Sequence, residues 1–419
     1  FGLETSNLIL EKRGLLDLEK PRTAVLRPYR KCLLASLNNT GENVFPPPKN
    51  ATMSPQIFSF FSGAGFLDLG FEKSGYNIVF ANELCEDFAQ VYRHARSVMG
   101  ITEPMFGLSE CSIEDFLEDK KATLVHNMNE AKESGELIGF IGGPPCPDFS
   151  VAGKNAGASG KHGVLSQVYM DLICETKPDF FLFENVKGLW RTARHRAFFD
   201  QLQTQAKAAG YCLTRKLVNS LEYGAPQDRD RILLIGIHES VLKTIPADKE
   251  LSDFEWLSQD ALSVEQIKAL PWPTRNPFGT SPECPNNILE KQTVAYWFNK
   301  NDVAHHPNGN DFFVPRAGLA KMQVIDEGDD CKKSYKRLHR WRFSPTVCYG
   351  NNEVHLHPWL PRRLSVAEAL ALQSLPKEFE LPKNMSLSSK FKTIGNGVPF
   401  VLSKAIAERL KRYLESHAH

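Results

Sequence analysis

The sequence predicts an α/β fold: a sheet with helices on both faces, carrying a smaller inserted domain. Three observations support this. Short apolar runs recur between Gln56 and Ile237, with helical stretches between them. Several runs stop at glycine, proline or a carboxylate, as strands do at a ligand-bearing edge. From His238 to about Arg340 the rhythm gives way to a proline-bearing stretch with few clear periods. With 419 residues, 42% hydrophobic and 24% charged, the chain can bury a large core beside a smaller one.

Composition narrows the function classes. A net charge of +1 gives no global signal for nucleic acid, so any basic surface is local. The nine cysteines are scattered without a CxxC pair, which argues against a disulfide framework and a structural zinc site. No metal is expected, and a reducing intracellular compartment is. No apolar run reaches the length of a membrane span, and the first residues lack a secretory pattern. Phe1 is not an initiator methionine, so a trimmed chain or preceding residues are expected.

In chain order, residues 1–54 read as an N-terminal extension and linker, with a helix over Leu8–Leu18 and a Pro46-Pro47-Pro48 stretch. A catalytic and ligand-binding domain is expected over 55–237. Its first strand, Gln56 to Phe61, runs into Ser62-Gly63-Ala64-Gly65, where glycine lets the backbone turn sharply beside a ligand. The spacing is not GxGxxG. A second strand, Asn77 to Ala81, ends in Asn82-Glu83, the position at which α/β folds hold a ribose hydroxyl pair. A third strand is faint, and Ser112–Phe116 reads as the start of a short helix.

The run Leu137–Ile141 must end at Gly142-Gly143-Pro144-Pro145, because proline donates nothing to a sheet ladder. That places Cys146 on a loop at a strand's C-terminal edge, where a nucleophile is well sited; a buried inert thiol is the alternative. Residues 151–166 are too glycine-rich to be regular and suit a lid or a passive loop. Asp179–Phe183 is a further strand ending in Glu184, a carboxylate on the same rim. Arg191, Arg194 and Arg196 read as a phosphate contact or a solvated face. Arg229 and Arg231 precede the strand Ile232–Ile237.

Residues 238–342 are expected to form the inserted domain, with exposed aromatics at Trp256, Trp272, Trp297 and Phe298. It closes on a basic run, Lys332 to Arg342, interleaved with aromatics, which suits a phosphate backbone. Residues 343–419 return to the first domain. Ser365 and Glu368 predict a capping box, Thr393–Pro399 a glycine turn, and 400–415 a final amphipathic helix.

Seven ordered motifs resemble the cytosine-C5 DNA methyltransferase family, of prokaryotic restriction-modification or orphan type. They are Phe60-Phe61-Ser62-Gly63-Ala64-Gly65, Asn82-Glu83, Gly142-Gly143-Pro144-Pro145-Cys146, Glu184-Asn185-Val186, Gln227-x-Arg229-x-Arg231, Arg362 to Glu368, and Gly395-Asn396-Gly397-Val398-Pro399. Pro147, Ala367 and Glu110-Cys111 depart from the usual pattern.

The resemblance implies an S-adenosylmethionine-dependent methyltransferase (Rossmann-like) mixed sheet with an inserted target-recognition domain. The reaction it implies is methyl transfer to C5 of a flipped-out cytosine in double-stranded DNA, through a covalent bond from Cys146 to C6. Glu184 would serve N3, Arg231 the cytosine O2, and Arg229 a phosphate or the thiolate. Phe61, Ser62, Gly63, Gly65, Glu83 and Asn396 would hold S-adenosylmethionine. Ser150, Lys154, Lys332, Lys333, Lys336, Arg337 and Arg340 would contact DNA. A monomer in the cytoplasm, associated with the nucleoid, is expected, with a cognate restriction endonuclease allowed for. The alternatives are a tRNA cytosine methyltransferase, a catalytically silent nucleic-acid binder, and a nicotinamide oxidoreductase.

Overall fold

The computed structural model describes residues 53–145, 161–331, 334–347, 349 and 355–419. The expectations for 1–52 and for 151–160 fall outside these residues. A seven-stranded sheet in the order β3-β2-β1-β4-β5-β7-β6 organises the rest. Gln56–Phe60 (β1), Asn77–Asn82 (β2), Leu108–Ser109 (β3), Ile138–Gly142 (β4) and Phe180–Val186 (β5) pair in parallel. Asp230–His238 (β7) runs against β5, and Tyr211–Asn219 (β6) against β7. β6 has no counterpart among the expected strands, because Arg215-Lys216 interrupts its apolar pattern.

Alternation along β1 builds two cores. On one face Phe58 and Phe60 meet Phe80 of β2 and Phe140 of β4, with ring centroids 4.9–5.9 Å apart. Each such pair is worth roughly 0.5–1.5 kcal/mol beyond its buried area. On the other face Ile57 and Ile141 pack with Phe71 of Phe66–Glu72 (α1) and with Leu402, Ile406 and Leu410 of the last helix. Glu86–Val98 (α2) and Lys121–Lys132 (α3) follow β2 and β3; Lys161–Thr176 (α4), Gly188–Arg191 (α5) and Ala193–Ala208 (α6) complete this half. Lys161 to Ser166 are helical, contrary to the expectation of irregular chain up to 166.

After β7 the chain is mostly irregular, and of the four aromatics expected to be exposed Trp256, Trp297 and Phe298 are buried and Trp272 is half-buried. Leu242, Leu251, Phe254 and Trp256 join the core around Ile235, and the Trp256 Nε1 donates to Thr214 Oγ1 at 3.1 Å. Trp297 and Phe298, on Val294–Lys300 (α8), pack with Leu364 and Leu370. With few ladders to order this stretch, large apolar anchors supply the fixing contacts. Val264–Ala269 (α7), Leu319–Met322 (α9) and the short parallel pair Lys336–Arg337 (β8) and His355–Leu356 (β9) lie here too.

Val366–Leu372 (α10) begins at the expected capping box: Ser365 Oγ accepts from the Glu368 N–H, and the Glu368 carboxylate from the Ser365 N–H. Residues Thr393–Asn396 are the last turn of a helix, Leu387–Asn396 (α11), rather than a free glycine turn. Phe400–His417 (α12) closes the chain against α1. No helix among the described residues is long and apolar enough to cross a membrane.

His339 offers a stability probe for this region. Its Nδ1 accepts from the Trp341 N–H at 3.0 Å, and its Nε2 lies 2.8 Å from Asn276 Oδ1, which fits a neutral ring protonated on Nε2. Burial, reinforced by the charges of Arg340 and Arg342, pushes its pKa down to about 4. An unfolded imidazole takes up its proton near pH 6.5, so between those values the unfolded chain binds more protons and stability falls as pH falls. Urea unfolding at pH 7 and pH 4.5 should show a loss of about 2 kcal/mol from this group, reduced in His339→Gln.

Candidate functional site

Strand order reverses between β1 and β4, so the connections leaving these strands diverge and open a crevice at their C-terminal ends. One wall is the loop after β1. Phe61 is left-handed at φ 52°, an uncommon state for a bulky residue, and Gly65 follows at φ 79°. The Gly65 N–H donates to the Ser62 carbonyl at 2.8 Å, and the Ser62 N–H to the Asn82 carbonyl at 3.0 Å. Glu83, just past β2, accepts from the Gly63 N–H and the Cys85 N–H, both at 2.8 Å. One carboxylate thus fixes the separation of two strand ends. Its burial raises its pKa, and the two N–H bonds oppose that rise.

The other wall is built by β4, β5 and β7. Glu184 is 8% exposed, and the Arg231 Nε lies 2.5 Å from its Oε1. The pair is diagonal across the ladder: Glu184 faces Leu233, and Arg231 sits two residues along on the same side. The chain leaving β4 passes against this carboxylate. A Cβ at Gly143 would stand 2.6 Å from Glu184 Oε2, so glycine is required there by contact. Two prolines later comes Cys146. Cys146, Ser150, Lys154, Lys332 and Lys333 lie outside the described residues.

The structure brings together Phe61, Ser62, Gly63, Gly65 and Glu83 on one wall and Glu184 and Arg231 on the other. Asn396 is exposed at the last position of α11. Three arginines differ from expectation. Arg229 is 2% exposed and donates to the carbonyls of Val347 and Gly395 at 2.9 and 2.8 Å, so it ties the end of α11 to the sheet instead of facing a phosphate surface. Arg337 is fully buried and donates to the carbonyls of Met322, Ile325, His357 and Leu360. Arg340 grips both oxygens of buried Glu327, each at 2.8 Å. Sequence shows the charge of a basic run but not its internal acceptors. Lys336 is half-buried.

Sequence reasoning missed the polar residues beneath the β1 loop: Ser59, Asp68, Glu72, Tyr92 and Arg96. A signal existed, since Asp68 and Glu72 on α1, and Tyr92 and Arg96 on α2, each stand four residues apart and so share a helix face.

A family model for C-5 cytosine-specific DNA methylases matches residues 56–412. A Type II methyltransferase of Neisseria meningitidis serogroup C, M.NmeDI, is 56% identical over 365 residues, covering 86% of this chain and 84% of that relative. A second, M.MthTI of Methanothermobacter thermautotrophicus, is 28% identical over 388 residues, covering 87% and 99%. Among solved structures, the S. pombe Dnmt2 methyltransferase superposes with a TM-score of 0.52 at 12% identity, covering 87% of this chain and 99% of that one; at that identity the likeness concerns the fold.

The burial of Arg337 makes a direct prediction. Arg337→Met removes a donor from the buried carbonyls of Met322 and His357, each costing about 1–3 kcal/mol when orphaned. Chemical denaturation should show a loss of about 3 kcal/mol or more.

Proposed function

The chain belongs to the C-5 cytosine-specific DNA methylase family, and from that membership we propose how its residues divide the work. It is a DNA (cytosine-5-)-methyltransferase. The observation that carries the assignment of roles is the Glu184–Arg231 pair, buried on the rim toward which the chain before Cys146 runs.

Cytosine C5 is a weak nucleophile, and the target base is stacked within the duplex, so it must first rotate out. The Cys146 thiolate then adds to C6, forming a carbon–sulfur bond. Glu184 hydrogen-bonds N3 and supplies its proton, which makes C5 enamine-like. Arg231 orients Glu184 and donates to the cytosine O2; Arg229, two residues before it, supports the loop ends. Once C5 carries the methyl group, with S-adenosylhomocysteine as the other product, a base removes the C5 proton, the Cys146 thiolate is expelled and N3 returns its proton to Glu184, restoring the aromatic ring and the free enzyme.

The family implies S-adenosylmethionine, and the residues present fit it. Phe61, Gly63 and Gly65 form a turn bare of side chains at its glycines, and Glu83 is an acceptor whose carboxylate has lone pairs beyond the two N–H groups it serves. When bound, S-adenosylmethionine supplies an electrophilic methyl group. Glu83 would accept from its ribose hydroxyls, and Ser62 and Asn396 would border its other end. Sequence choice falls to 238–342, the proposed target-recognition domain, with Ser150, Lys154, Lys332, Lys333 and Lys336 as phosphate or base contacts. The Type II name of the M.NmeDI relative supports a role in restriction-modification, paired with an endonuclease of the same site and acting in the cytoplasm on the nucleoid.

Labelled methyl transfer from S-adenosylmethionine to unmethylated genomic DNA and, in parallel, to total tRNA tests this reading. The expected product is 5-methylcytosine in DNA alone; label in tRNA alone would move the substrate to RNA. Cys146→Ser should abolish transfer while retaining cofactor binding. Glu184→Gln should slow it by about 10²–10⁴-fold, the usual worth of a positioned general acid, and a near-normal rate would remove Glu184 from that role.

A further inference from the structure

Beneath the β1 loop lies a buried ionic cluster that the steps above do not use. Asp68 on α1 is fully buried and Arg96 on α2 is 2% exposed. Asp68 Oδ1 accepts from Ser59 Oγ of β1 at 2.7 Å, and Oδ2 accepts from the Tyr92 hydroxyl at 3.0 Å. The Arg96 Nη2 stands 2.8 Å from Glu72 Oε1 and 4.0 Å from Asp68 Oδ2. Its guanidinium lies 3.8 Å above the Tyr92 ring centroid.

The remaining edge of that guanidinium, Nε and Nη1, has no hydrogen-bond acceptor among the described residues. That edge faces the loop: a Cβ at Gly65 would stand 2.4 Å from Nη1 and 2.9 Å from the Tyr92 ring. A buried cation with unsatisfied donors is a poor device for stability, since apolar residues of similar volume often serve as well or better. Its geometric effect is specific. It joins β1, α1 and α2 where the Phe61–Gly65 turn leaves the sheet, and it fills the space under Gly65 so that the turn cannot sink. A bulky residue such as Phe61 stays left-handed only where its surroundings over-determine it. The opposite side of the same turn presents Gly63 to Glu83.

We propose that Arg96, held between Tyr92 and Gly65 and balanced by Asp68 and Glu72, is a positioning residue that sets the Phe61–Gly65 turn for S-adenosylmethionine. The identity of the ligand rests on the methyltransferase reading. The cluster acts through the turn and touches no reacting atom, so its loss weakens the cofactor complex and leaves the chemical step intact.

The test uses the full chain with Arg96→Met, Arg96→Lys and Tyr92→Phe. Binding of S-adenosylhomocysteine without DNA is measured by equilibrium dialysis, and kcat and both KM values by methyl transfer. Arg96→Met should weaken S-adenosylhomocysteine binding and raise the cofactor KM about tenfold, with kcat at saturating cofactor and the DNA KM within about twofold of wild type. Arg96→Lys should recover part of the loss. Tyr92→Phe keeps the ring and removes only the hydroxyl on Asp68; it should weaken binding about threefold and decides the matter if Arg96→Met does not fold. Unchanged cofactor affinity in Tyr92→Phe and in folded Arg96→Met, or a loss shared equally with the DNA KM, overturns the proposal. Wild type that binds S-adenosylhomocysteine but transfers no methyl would remove the reaction and leave the binding comparison to judge Arg96. Wild type that binds none would overturn both.

Discussion

The register between β5 and β7 is the constraint on which the proposed catalytic wall depends. Because β7 runs against β5, residues two apart in opposite directions meet on one side, and Glu184 and Arg231 do so at 2.5 Å. A slip of one residue would send one partner to the other face of the sheet. The flanking residues resist that slip: Phe181, Leu182, Phe183, Ile232, Leu234 and Ile235 are all buried, on both faces. Apolar packing of the sheet therefore holds a polar pair in place.

A second polar seam brings the chain's last segment back to that wall. The Gln227 side chain donates to the Leu372 carbonyl and to Gln373 Oε1, and accepts from the Val347 N–H. Gln373 in turn donates to the Ile394 carbonyl at 2.6 Å. Both amides are fully buried, so each bond lost would leave a desolvated polar atom behind. Arg229 completes the seam at Gly395. The two-arginine motif is thus divided between a structural tie and the proposed catalytic pair, though the two residues are only two positions apart.

The sheet was legible because its strands are buried on both faces and read as near-continuous apolar runs, interrupted from Ile57 to Phe60 only by Ser59 and unbroken from Phe180 to Phe183. Glu83 and Glu184 were legible for the converse reason: a carboxylate abutting such a run needs an explanation. β6 was hidden by Arg215 and Lys216, which sit where that strand meets solvent and Glu250. α11 was mistaken at its end because Gly395 and Gly397 suggest a turn, although Ser386 caps a helix that continues through Asn396. The β1 cluster escaped notice because a polar residue's burial depends on partners distant in sequence. Ser59, Asp68 and Arg96 mean little until the fold brings them together.

The burial of Arg337 and Arg340 changes the electrostatic footprint of the protein on a polyanion. Each lysine or arginine that neutralises a DNA phosphate releases condensed counterions, steepening the fall of affinity with salt by about 0.9 in the log–log slope. Two of the cations in the 336–342 run are committed to internal carbonyls and to Glu327, so they release none. The ionic-strength dependence of DNA binding should therefore be shallower, by about two such increments, than a count of charges along the sequence implies. The number of ions displaced on binding reports the folded surface, and with it how much of this basic stretch is architecture.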